Sequence, residues 1–93
     1  MSKQQPTDVQ HYVVWSTIEA IAKANNKSLS ALAQAAGIDS TALVKSKRML
    51  GPKKRMPTTT TIIAILKACQ MDWFDWAYMY KRTAETLGLE NCI

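Results

Sequence analysis

Glycine and proline cut this 93-residue chain into short segments, and between the cuts apolar residues recur at helical spacing. Gly37 and Gly88 stop two segments, because glycine takes the left-handed backbone conformation cheaply just past a helix. Gly51, Pro52 and Pro57 make residues 49–57 irregular. Only Thr58 to Ile65 offers a β-branched alternative, and its Pro-Thr opening and Leu-Lys-Ala-Cys close favour helix. The expected class is all-α.

Five helices follow. The first spans residues 9–25, with Val14, Ile18, Ile21 and Ala22 inward, Trp15 flanking, a cap at Thr7 or Asp8, and Asn25-Asn26-Lys27 closing it. The second spans residues 31–36, capped by Ser30 and turning Leu32, Ala33 and Ala36 inward. The third spans residues 40–48, capped by Asp39 and anchored by Leu43 with Val44 beside it. The fourth, residues 59–69, is capped by Thr58; Ile62, Ile63, Ile65 and Leu66 make it apolar nearly all round, as a central helix would be. Asp72 opens the fifth, with Asp75 completing a capping box and Trp73, Trp76 and Tyr80 expected to pack it against the fourth. The expected organisation is a flexible leader (1–8), one domain (9–88) and a short tail (89–93).

Composition removes most functional classes. The longest uninterrupted apolar run, residues 62–66, is far short of the roughly 20 residues that cross a membrane. The polar first ten residues hold no secretory signal, so a cytoplasmic location is expected. Two cysteines and one histidine make neither a disulfide framework nor a four-ligand zinc site, so no metal or cofactor is expected. Cys69 reads as a small core residue and Cys92 as part of the tail, both reduced. His11 reads as an exposed helix residue. Ser46 and Lys47 are helix neighbours that do not face one another, so they form no dyad. No enzyme is expected.

Ser28 to Arg48, SLSALAQAAGIDSTALVKSKR, carries the function. A helix-turn-helix needs a small residue where its helices touch, a glycine at the turn and an apolar residue re-entering the core. Ala33, Gly37 and Leu43 fall at those spacings. Functionless helical corners pack the same way, so the spacing alone is moderately specific. It resembles the lambda-repressor-like (Cro/CI-type) helix-turn-helix family, in particular the DNA-binding half of phage-type repressors. The resemblance extends over residues 10–80 through Lys45-Ser46-Lys47-Arg48, the Gly-Pro-basic loop and the Pro57-Thr58 helix start. It departs at Leu29, where several family members place a glutamine that touches DNA backbone, and near Gln70, where a glycine is expected.

The resemblance implies a compact five-helix domain whose third helix lies in the major groove. Ser40, Thr41, Ala42 and Lys45 would then face base edges, with Ala42 against a thymine methyl. Ser30, Lys47, Arg48, Lys53, Lys54, Arg55 and Thr58 would meet phosphates. Charge supports the placement. The chain is +5 overall, yet the 32 residues between Asp39 and Asp72 hold seven bases and no acid, which leaves −2 for the rest. Phosphate neutralisation with counterion release is the physical reason to gather bases there.

The expected function is a sequence-specific, double-stranded-DNA-binding transcriptional regulator, by default a repressor, since the same fold serves activators. The self-cleaving peptidase half of the resembling repressors has no room before Ile93. One motif helix reads about 3–5 base pairs, so a homodimer is expected, with Phe74, Tyr78 and Met79 as the candidate interface on the fifth helix. The rival is a helix-turn-helix adaptor that binds another protein through that helix; RNA binding is a weaker third.

Overall fold

The computed structural model describes residues 6–39, Leu43 and residues 57–89, and these form four helices and no strand. They are α1 (Pro6–Ala24), α2 (Leu29–Ala36), α3 (Thr59–Ala68) and α4 (Trp73–Thr86). The last two are the fourth and fifth predicted helices. The predicted third helix and the loop that follows lie outside the described residues, save for Leu43.

A short polar side chain caps the start of α2, α3 and α4, and two of the expected caps are corrected. Helix α1 begins at Pro6, so Thr7 and Asp8 lie inside it, not ahead of it as a cap. Proline suits a first turn, where its missing N–H would have no helical partner. Helix α2 is capped by Ser28, whose hydroxyl accepts from the Ala31 N–H at 3.1 Å. Ser30 is therefore an exposed residue of the first turn. The other two caps sit where the sequence puts them. Thr58 accepts from Thr61 N–H, and Asp72 and Asp75 exchange backbone hydrogen bonds in a complete capping box.

All four helices end alike. Asn26, Gly37, Gln70 and Gly88 have φ values of 57°, 72°, 58° and 73°, and at each the chain closes with paired bonds back into the last turn. At α2, Gly37 N–H donates to Gln34 and Ile38 N–H to Ala33; at α3, Gln70 donates to Lys67 and Met71 to Leu66. This is the Schellman closure. At α3 a glutamine stands in the left-handed position that a glycine would fill without strain.

The core joins Trp15, Ile18, Ile21 and Ala22 of α1 to Leu32 and Ala33 of α2, Leu43, and Ile65 and Leu66 of α3. A Cα radius of gyration of 13.0 Å is the compact value for about 100 residues. Side-chain facing departs from expectation in several places. Trp15 is buried at the centre, while Val14 is only half-buried. His11 is buried too, edge-on to Trp15 with ring centroids 6.4 Å apart, because it shares the inward face of α1 with Trp15 and Ile18. Helix α3 is half-buried rather than central: Ile65 and Leu66 point in, and Ile62 and Ile63 are partly covered. It packs on α2, whereas α4 packs principally on α1. Trp73 is consequently not core; nearly half its surface is exposed, and Trp76 and Tyr80 are half-buried.

Candidate nucleic-acid interface

Small residues make the corner after α2. Ala33 is wholly buried, with no side chain beyond Cβ to hold a neighbouring element away. Gly37 reverses the chain at φ 72°, and a Cβ added there would meet nothing within 4 Å. Conformation therefore asks for glycine at this position, and space does not. Leu43 is 1% exposed and belongs to the core cluster, so the chain returns to the core six residues past the turn. The three spacings singled out in the sequence thus correspond to a buried contact, a left-handed turn and a buried re-entry.

Of the residues expected to contact bases, Ser40, Thr41, Ala42 and Lys45 all lie outside the described residues. So do Lys47, Arg48, Lys53, Lys54 and Arg55. Ser30 and Thr58 are described, exposed, and stand on the N-terminal turns of α2 and α3, which pack together. The Thr58 hydroxyl donates to Thr61 Oγ1 at 3.1 Å while accepting from the Thr61 N–H. To donate to a phosphate it must release Thr61. Thr59 and Thr60, which the sequence reading passed over, are exposed on the same turn. The run of four threonines was the signal. Backbone N–H groups at such a turn have no helical acceptor and carry the positive end of the helix dipole.

On the far side of α1, helix α4 presents Phe74 at 85% exposure and Tyr78 at 60%, as expected; Met79 is half-buried instead of exposed. Arg82 donates to the Tyr78 hydroxyl at 3.1 Å, lies 5.8 Å from that ring's centroid and reaches Glu85 at 3.8 Å. A furrow of about 560 Å³ runs between the helices, with Tyr12, Ser16 and Ala20 of α1 facing Met79, Arg82 and Thr83 of α4.

Titration behaviour follows local contacts. The Asp75 N–H, first among several hydrogen bonds to its carboxylate, holds Asp72 below the usual 3.8. Burial pushes the Cys69 thiol up, against the pull of the Lys27 ammonium, and burial also raises Tyr80. Among the described residues no group of three His, Cys, Asp or Glu side chains is placed to hold a metal ion, and no helix is long and apolar enough to cross a membrane. Comparison of the chain with protein-family models, with curated proteins and with solved structures returned no match.

Proposed function

We propose that the protein is a sequence-specific double-stranded-DNA-binding transcriptional regulator, a repressor by default, acting from paired half-sites. The observation that carries this reading is a coincidence. A buried Ala33, a left-handed Gly37 and a buried Leu43 flank the start of a 32-residue segment with seven bases and no acid. In this reading the residues after Gly37 form a helix that lies in the major groove, with Ser40, Thr41, Ala42 and Lys45 at base edges. Lys47, Arg48, the Lys53-Lys54-Arg55 run and the hydroxyls of Ser30 and Thr58 hold phosphates and set its register. Releasing condensed counterions supplies affinity; the base edges supply preference.

Site selection from random duplexes, followed by anisotropy titration at physiological salt, tests it. The expected outcome is an enriched site bound at least about a thousandfold tighter than random duplex, the usual span for specific binders. Equal affinity for both overturns the reading and leaves a non-specific basic domain. A second reading, an adaptor that works through protein contact, is favoured by one observation, the exposure of Phe74 and Tyr78.

A further inference from the structure

The furrow between α1 and α4 holds about 560 Å³, within the range of small-ligand pockets, which often form between packed helices. Its walls combine rings and cations. Tyr12 of α1 and Tyr78 of α4 border it with 42% and 60% of their surfaces exposed, and half-buried Met79 adds a polarizable thioether. Lys23 and Arg82 border it against one acid, Glu19, so the walls are net positive. Arg82 is held where it meets Tyr78: Nη1 donates to the phenol oxygen at 3.1 Å, and the guanidinium carbon is 5.8 Å from the ring centroid. Glu85 is not one of the walls and stands 3.8 Å from Nε, beyond hydrogen-bond length. Most of the guanidinium's N–H donors are therefore still to be used.

We infer that this furrow binds a small aryl carboxylate, with the carboxylate on the Arg82 fork and the ring against the tyrosines and Met79. The walls set that chemistry. A guanidinium matches a planar carboxylate with two parallel hydrogen bonds, where an ammonium offers only a point charge. Arg82 and the Tyr78 ring stand one helical turn apart, so a ligand whose anion is attached directly to its ring meets both at once. The ligand ring gains edge or offset contact with tyrosine and sulfur contact with Met79. Lys23 adds a second positive charge to the same cavity. Because Tyr78 already positions the guanidinium, little side-chain freedom is lost on binding. A long polyanion is disfavoured, since the exposed acids Asp75 and Glu85 on α4 offset Lys81 and Arg82. The inference goes beyond the proposed function and uses no residue proposed to touch DNA, so the two fail separately.

Calorimetric titration of the full chain with 2-naphthoate tests this, beside 2-naphthamide, which has the same shape without charge, and inorganic phosphate, an anion without a ring. 2-Naphthoate should bind with a Kd of about 0.1–1 mM, the strength expected of so small a ligand. The amide should bind roughly tenfold more weakly, and phosphate more weakly still. Arg82→Gln should weaken 2-naphthoate roughly tenfold and leave the amide unchanged. Arg82→Lys, which keeps the charge and loses the fork, should fall between. Lys81→Gln removes the same charge from the same helix outside the furrow and should change binding less than about twofold. Tyr12→Ala should weaken 2-naphthoate and the amide alike. The Arg82 side chain is 63% exposed, so its variants should keep the helical circular dichroism of the unmodified chain. Absence of 2-naphthoate binding up to about 5 mM overturns the proposal. So does an amide or phosphate that binds as tightly as 2-naphthoate, or equal losses in Arg82→Gln and Lys81→Gln, the mark of general charge attraction.

Discussion

Single residues at helix ends decide much of the local geometry. Gln70 at φ 58° fills a position where a side chain costs about 1–2 kcal/mol and glycine costs little. Gln70→Gly should therefore stabilise the fold by about 0.5–1 kcal/mol, after the loss to unfolded-state entropy, read as a higher midpoint in urea at unchanged slope. Gly37→Ala should cost about 1 kcal/mol although nothing lies within 4 Å of the added methyl, since the strain is in the backbone. A second residue-scale effect depends on pH. The Asp72 carboxylate is held below 3.8 by the Asp75 N–H and its neighbours, so it favours the folded state above that value. The contribution is lost as pH falls through the depressed folded value. Asp72→Ser keeps a cap that does not titrate. Thermal unfolding across about pH 2 to 6 should then show a shallower loss of stability on the acid side in this variant.

Helix partners were harder to read than helix positions. Periodicity shows which face of a helix is apolar but not which neighbour covers it. Trp73, Trp76 and Tyr80 looked like one core stripe because they share a helical face. Helix α4 packs principally on α1, and the first ring of the stripe stands at the helix start, where cover runs out. His11 was misplaced for the converse reason: a polar residue on an apolar face is buried when a large ring such as Trp15 packs beside it. Leu43 offers an element-scale test of the corner. With 1% of its surface exposed, Leu43→Ala should cost about 2–5 kcal/mol and lower DNA affinity with it, by detaching the segment after Gly37 from the core. Stability unchanged within about 0.5 kcal/mol would mean that this segment does not depend on its core anchor.

For the whole molecule, charge segregation is the property that the proposed function rests on, with bases gathered between Asp39 and Asp72 and a net −2 elsewhere. The proposed reading divides those bases into two kinds. Lys45→Ala should cost about 1–3 kcal/mol at the selected site and relax preference at one or two base pairs. Lys53→Ala should weaken all duplexes alike and lower the salt slope by about 1 per monomer. If Lys45→Ala weakens selected and random DNA equally, base reading must be sought on another residue. Sequence by itself determined the helical class, the Thr58 cap, the Asp72–Asp75 box and the Gly37 turn. Each is a contact between residues a few positions apart, set by local backbone chemistry before any packing. The burial of Ala33 and Leu43 was legible as well, from their apolar spacing on either side of Gly37. Tertiary structure alone decided that α4 covers α1, that His11 and Trp15 lie inside, and that Met79 borders a furrow. Those outcomes depend on which surfaces meet across long stretches of chain, and apolar attraction, having no direction, names no partner.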